Sequence, residues 1–263
     1  MTRRRLDVEL VRRHLARSRE QAQELITAGL VIVGGIVATK AASQVDENAG
    51  IKVNLDPDED YVSRGAHKLI GALDAFGIDV AGLVALDAGA STGGFSDVLL
   101  RRGIKHVYCV DVGYGQLAWK VSQDPKVTVM DRTNIRYLTP ELLGAKADLI
   151  VADLSFISLE TVLPALVSVL NPAGQVLLMV KPQFEVGKDA LGPGGVVQDN
   201  AQRIESVNKI AGKAFSLGLG TAGVVASPLP GPSGNVEYFL WLKSGSPAPQ
   251  ESDVERAVEE GPQ

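Results

Sequence analysis

The sequence predicts an α/β protein, in which helices cover a mostly parallel β-sheet and a small α+β domain comes first. Three observations carry this. Apolar runs of strand length alternate with amphipathic, helix-length segments from residue 84 to residue 243. The first of those runs ends in Val-Ala-Leu-Asp87, and a glycine turn, Gly89-Ala-Ser91-Thr-Gly93-Gly94, leads into Phe95-Ser-Asp-Val-Leu-Leu, which opens a helical pattern. Residues 3–30 differ in character, with seven arginines against four acids.

Within that basic segment, Leu6, Leu10, Leu15, Ala22, Leu25 and Ile26 recur at roughly helical spacing, which predicts two short helices. Ser18 is placed to cap the second, and Gly29 stops it before Leu30-Val-Ile-Val-Gly-Gly-Ile-Val, a strand and tight turn. Asp56-Pro-Asp-Glu-Asp60 is acidic and contains a proline, as a solvated linker does. The expected boundaries are a first domain at 1–57, a linker at 58–62 and a second domain at 63–244. Ser63 is expected to cap a helix whose apolar stripe is Ala66, Leu69, Leu73 and Phe76, with Arg64 and Lys68 off that stripe. After the glycine loop come a strand at 106–113, a helix at 117–122, and strands at 127–131 and 148–156. A helix at 158–170, a strand at 175–181 and a helix at 200–217 follow. Strands at 224–227 and 236–243 close the sheet, the last one antiparallel. Residues 245–263, rich in proline, serine and acid, are expected to be a disordered tail.

Composition narrows the function. With 45% hydrophobic residues and a net charge of -5, the chain has no overall basic character, so any nucleic-acid surface must be local. The lone Cys109 excludes an intramolecular disulfide and lies in an apolar strand pattern, where a thiol is inert. His14, His67 and His106 are scattered, and no spacing predicts a metal site. The opening Met-Thr-Arg-Arg-Arg-Leu-Asp lacks an apolar signal-type core, so a cytoplasmic protein is expected. One uncharged run, 161–180, is long enough to span a bilayer, but Asn171-Pro172-Ala-Gly174 divides it into a helix and a strand.

In a sheet of this kind ligands sit beyond the carboxyl ends of the strands, so the polar residues there are the candidates. Asp111 ends the second strand, 24 residues after Asp87, where an acid accepts hydrogen bonds from a cofactor ribose. Asp131 ends the third. Either acid could instead cap its own turn. Asp153, in Val-Ala-Asp-Leu-Ser-Phe, and Lys181, in Met-Val-Lys-Pro-Gln-Phe-Glu, end the next two strands and would share a cleft, as a functional pair or as a structural ion pair. The loop after Asp87 is not a dinucleotide fingerprint, because Ala90, Ser91 and Thr92 stand where a second glycine is needed, and it has no phosphate-loop lysine. Asp-x-Gly-x-x-x-Gly-Gly resembles instead the spacing of S-adenosylmethionine (SAM) methyltransferases.

Two further resemblances follow from residues already quoted. Arg5-Leu-Asp, Leu10, Ala16-Arg17-Ser18-Arg19, Ala22, Leu25-Ile26 and Gly29-x-Val31-x-Val33-x-Gly35 resemble the S4 RNA-binding domain over about the first 55 residues. Arg5, Arg12, Arg13, Arg17 and Arg19, with Arg64 of the second domain, are then the RNA-binding candidates. Lys68 in Ser-Arg-Gly-Ala-His-Lys-Leu, Asp153, Lys181 and Glu237 in Gly-Asn-Val-Glu-Tyr-Phe fall in the order Lys-Asp-Lys-Glu, which resembles the tetrad of FtsJ-type ribose 2′-O-methyltransferases. Joined to an S4 domain, the chain from 3 to 243 resembles the TlyA family, whose members are described as hemolysins and as methyltransferases of cytidine ribose in 16S and 23S ribosomal RNA.

The resemblance implies a Rossmann-like methyltransferase domain, SAM as cofactor, ribosomal RNA or ribosomal subunits as partners, and no stable membrane insertion. It also implies that Asp87, Gly89, Ser91, Gly93, Gly94, Asp111 and Asp131 touch the cofactor. Lys181 would act as base, positioned by Asp153, while Lys68 and Glu237 hold the reacting hydroxyl. The rival readings are a NAD-dependent oxidoreductase, a membrane-lytic protein and a pure RNA-binding module.

Overall fold

A computed structural model describes residues 3–16, 18–53, 61–187, 191–231 and 233–262. The chain divides into two compact units, Met1–Asp60 and Tyr61–Gln263.

The first unit begins with β1 (Arg3–Arg5), α1 (Leu6–Arg12) and α2 (Arg19–Thr27), and continues through β2 (Val31–Val33), β3 (Ile36–Val37), β4 (Gln44–Asp46) and β5 (Ile51–Val53). β1 pairs antiparallel with β4, while β2 lies between β3 and β5 and is antiparallel to both. Leu6, Leu10, Ala22, Leu25 and Ile26 form its core with Val31 and Val45, as the helical spacing predicts. Ser18 caps α2, its hydroxyl accepting from the Gln21 N–H at 3.2 Å.

In the second unit, α3 (Gly65–Phe76) precedes β6 (Val84–Ala88), α4 (Gly94–Arg101), β7 (His106–Val110), α5 (Trp119–Ser122) and β8 (Val127–Met130). Then come α6 (Pro140–Leu143), β9 (Ala147–Ala152), α7 (Leu159–Ser168), β10 (Leu170–Val180) and α8 (Pro182–Glu185). The chain closes with α9 (Asn200–Ser216), β11 (Gly220–Ala226), β12 (Tyr238–Lys243) and α10 (Glu251–Glu259). One sheet of order β11-β12-β10-β9-β6-β7-β8 results, with β12 alone antiparallel to its neighbours. This is the Rossmann-like arrangement that the sequence resemblance implies.

Strand alternation sorts the core onto two faces. Ile150 and Ala152 of β9, Leu178 and Val180 of β10 and Tyr238 and Leu240 of β12 pack with α7, α9 and α10. Leu149, Val151, Leu177, Met179 and Phe239 point the other way, toward α3 and α4. Because both faces are covered, β9 and β10 are almost wholly apolar rather than alternating.

Three expectations need correction. No side chain caps α3, whose N-cap position is Arg64 in a helical conformation; the chain already coils at Ser63, whose carbonyl accepts from Ala66 N–H at 3.1 Å. The helix expected to run to 170 ends at Ser168, and β10 starts at Leu170 and passes through Asn171-Pro172 with a register irregularity before Gln175. The tail expected to be disordered contains α10, because Val254, Ala257 and Val258 recur at helical spacing and are buried against the sheet's α9 side.

Val258→Ala removes two buried methyl groups from that contact. At roughly 0.8 kcal/mol per buried carbon plus a cavity term, it is expected to lower the unfolding free energy by about 2 kcal/mol. Denaturant titration followed by circular dichroism checks this, and an unchanged midpoint would show that the helix adds nothing to the core.

Candidate functional site

The carboxyl edge of the sheet collects charge from six elements. Asp87 is the penultimate residue of β6, Asp111 follows β7, Asp153 follows β9 and Lys181 follows β10. Being antiparallel, β12 delivers Glu237 to the same edge from its start rather than its end. Lys68 comes from the first turn of α3. Two ion pairs form there: Lys68 Nζ to Glu237 Oε2 at 2.5 Å, and Lys181 Nζ to Asp153 Oδ1 at 2.6 Å. The first pair is buried. The second reaches solvent, with the Asp153 side chain 27% exposed and that of Lys181 10%. Lys181 Nζ also donates to Ser155 Oγ at 3.0 Å.

A cavity of about 260 Å³ opens over these groups, lined by Lys68, Asp87, Asp153, Ser155, Lys181 and the glycine loop. A second, of about 490 Å³, is lined by Asp111, Val112, Gln116, Thr133, Asn134, Ile135 and the segment Asp153–Ile157. Gly89, Ser91, Asp153 and Ser155 border both. Glu237 borders neither, and reaches the site only through Lys68.

The three glycines of the loop serve different ends. Gly89 has φ +85°, and a Cβ there would stand 2.5 Å from the Asp153 carbonyl oxygen, so the backbone lies flat against the next strand end. Gly93, expected at the cofactor, lines neither cavity; a Cβ there would meet Leu117 and Val121, so it serves packing under α5. A Cβ on Gly94 would strike the Ser63 hydroxyl, so this glycine lets α4 start against the beginning of α3.

Each strand-end acid has its own surroundings. Asp111 accepts from the Gly113 N–H at 2.7 Å through Oδ1 and from the Ser91 N–H at 2.8 Å through Oδ2, and it lines the second cavity. Asp131 lies outside both linings and accepts from the Gly115 N–H at 2.8 Å, so its carboxylate ties the end of β8 to the loop after β7 rather than capping its own turn. Asn134 and Ile135, just beyond it, reach the cavity instead. Asp87 is fully buried, and Ser96 Oγ donates to its Oδ2 at 2.6 Å while Oδ1 has no partner. Burial pushes its carboxyl up to about 7 against the pull of the Ser96 hydroxyl, and the charges of Asp153 and Asp111 push the same way.

Sequence reasoning missed Ser155, which binds Lys181, and Phe156, 91% exposed with φ +64° at the rim of the second cavity. Both follow Asp153 immediately, and the rule that ligands sit just past strand ends was the available signal. Arg64 lines the first cavity, and its Nη2 donates to the Pro230 carbonyl at 3.2 Å.

In the first unit, Arg5 and Arg19 share the buried Asp7, and Arg12 and Arg13 share the buried Glu9. Arg13 also donates to the Ala49, Asp46 and Glu47 carbonyls, so it ties α1 to the turn after β4. Arg17 lies outside the described residues.

The raised Asp87 carboxyl has a pH signature. The folded protein keeps this proton up to about pH 7, whereas the unfolded chain releases it near the ordinary value of 3.8, so stability falls as pH rises through that window. Asp87→Asn is expected to raise the melting temperature at pH 8 and to change it little at pH 4. Thermal melts at the two pH values decide, and a variant no more stable than the parent at pH 8 would count against a strained carboxylate.

The family model for FtsJ-like methyltransferases matches residues 61–244, and that for the S4 domain matches residues 4–51. The chain is 57% identical over 263 residues to the 16S/23S rRNA (cytidine-2'-O)-methyltransferase TlyA of Mycobacterium tuberculosis, with 98% of each chain covered. It is 36% identical over 223 residues to Hemolysin A of Brachyspira hyodysenteriae, which covers 84% of this chain and 92% of that one. A solved structure described as a candidate hemolysin from Streptococcus thermophilus superposes with a TM-score of 0.76 at 37% identity, covering 99% of this chain and 96% of the other. Among the described residues, no helix is long and apolar enough to cross a membrane. With both matched domains present, in the expected order and along nearly the whole chain, this protein belongs to the TlyA family of FtsJ-like methyltransferases.

Proposed function

We propose that the chain transfers a methyl group from SAM to the ribose 2′-hydroxyl of a cytidine in 16S or 23S ribosomal RNA, working in the cytoplasm where ribosomal subunits are made. Lys181 carries the reading: its amine stands at the floor of the first cavity, oriented by Asp153 at 2.6 Å and Ser155 at 3.0 Å, beside the glycine loop.

The surroundings of that loop fit the cofactor. Asp87 Oδ1 is a buried acceptor without a partner, of the kind that receives an ammonium group, and it lines the cavity that the Gly89 backbone keeps open. Asp111 lies where ribose hydroxyls need an acceptor, and Val112, Ile135, Leu154 and Ile157 offer apolar contacts to a purine ring. When bound, SAM supplies a methyl group made electrophilic by its sulfonium. What remains for the protein is to orient the ribose hydroxyl and to remove its proton. Lys181 Nζ, in its neutral form, accepts that proton. Asp153 and Ser155 fix the amine's direction, and Asp153 stabilises the ammonium that results. Lys68, held from behind by Glu237, places a positive charge and donors beside the developing alkoxide.

The direct experiment is transfer of tritiated methyl from SAM to 16S and 23S ribosomal RNA, free and within subunits, followed by mapping of the modified nucleotide. Lys181→Ala is expected to lower the transfer rate by about 10²- to 10⁴-fold, the usual worth of general-base help, while SAM and RNA still bind. Lys181→Arg is expected to fail as well, since guanidinium keeps its proton at any working pH. Near-normal transfer by Lys181→Arg would refute the proton-acceptor role and leave Lys181 as a source of charge alone.

A further inference from the structure

Two acids of the first unit take no part in the chemistry, yet both are removed from water. Asp7 and Glu9, in the first turns of α1, are fully buried. Arg5 donates to Asp7 through Nε at 3.0 Å and Nη2 at 2.9 Å, and Arg19 donates to the same carboxylate through Nη2 at 3.1 Å. Arg12 grips Glu9 through Nε at 2.8 Å and Nη2 at 2.6 Å, beside Arg13 Nε at 2.7 Å.

The acids are covered, but four of the arginines around them are not, among them Arg4, whose Nη1 lies 3.7 Å from Glu9 Oε2 and whose side chain is 38% exposed. Side-chain exposure is 43% for Arg5, 47% for Arg12 and 57% for Arg19, against 21% for Arg13, whose other donors go to backbone carbonyls. A guanidinium has five donors, so one that gives two to a carboxylate keeps three for another ligand.

We infer that Asp7 and Glu9 are positioning residues that hold Arg5, Arg19 and Arg12 as a preorganised set of phosphate-binding guanidiniums facing structured RNA. The inference rests on the reading that the first unit binds ribosomal RNA. A free arginine loses rotamer entropy when a phosphate fixes it, and a carboxylate that has already fixed it removes that cost from binding. If attraction of phosphate by net charge were all that counted, two acids beneath the arginines would only weaken it.

The sign of one substitution separates geometry from charge. RNA affinity of the full chain is measured with a 23S ribosomal RNA transcript at fixed salt. Asp7→Asn makes the unit more positive, yet binding is expected to weaken about tenfold, because two side chains lose their anchor. In a background carrying Arg5→Ala and Arg19→Ala, the same Asp7→Asn change is expected to alter affinity by less than about twofold, since residues acting through one another are not additive. Equal or tighter binding by Asp7→Asn in the native background overturns the inference. A tenfold loss that persists in the alanine background overturns it too, because Asp7 would then act through the fold at large. If Arg5→Ala with Arg19→Ala leaves RNA affinity unchanged, the RNA-binding reading of this unit fails, and the inference with it. Should Asp7→Asn melt below the assay temperature, Glu9→Gln in the native background and in one carrying Arg4→Ala, Arg12→Ala and Arg13→Ala runs the same cycle, with the same two results overturning the inference.

Discussion

Lys68 and Glu237 stand 169 residues apart in the chain and are almost wholly removed from water, with one oxygen of Glu237 lacking any hydrogen-bond partner. Two such charges are tolerated inside a protein only when they meet, since an isolated one costs several kcal/mol. The pair contributes little to stability against an apolar alternative. It does require α3 and the start of β12 to lie side by side, and that is the placement which brings Lys68 to the cavity floor. The reversed direction of β12 follows the same logic, for a parallel last strand would carry Glu237 to the opposite edge of the sheet.

Acids paired with cations recur through both units, and the identity of the cation differs between them. In the second unit, Asp153 and Glu237 hold lysines, whose amines can gain or lose a proton and so can take part in proton transfer. In the first unit, Asp7 and Glu9 hold arginines, which keep their charge and offer a rigid fork of donors. The Arg5 hydrogen bonds hold the Asp7 carboxyl well below the usual range, and Arg12 brings Glu9 down to about 2, so both favour the charged form. Asp87 is the opposite case. Among the described residues no cation pairs with it, burial dominates, and its carboxyl rises.

The glycine loop shows how one motif serves several constraints. Gly89 brings backbone close to backbone across the strand ends, Gly93 makes room for Leu117 and Val121, and Gly94 lets two helices begin in contact. In sequence these positions look alike. They differ only in what a Cβ would meet, which depends on elements far along the chain.

What the sequence determined by itself was the alternation of strands and helices, the two-part organisation and the direction of the last strand, and it marked Asp153 and Lys181 as candidates, whereas Lys68 and Glu237 were named only by the resemblance to a methyltransferase tetrad. All but those two rest on local information: apolar periodicity, or a polar residue ending an apolar run. α10 was legible in the same way, from Val254, Ala257 and Val258, but the acidic, proline-containing composition around them pointed elsewhere. The tertiary structure decided which candidates share a space. It set Glu237 behind Lys68 rather than in the cavity lining, joined the Asp131 carboxylate to the Gly115 N–H in the loop after β7, and packed Gly93 against Leu117 and Val121. It also joined Ser155 to Lys181, and it gave Arg13 hydrogen bonds to three backbone carbonyls at the turn after β4. Strand and helix periods report which face a residue occupies, whereas contact across a cleft depends on how distant elements are packed, and no local pattern encodes that distance.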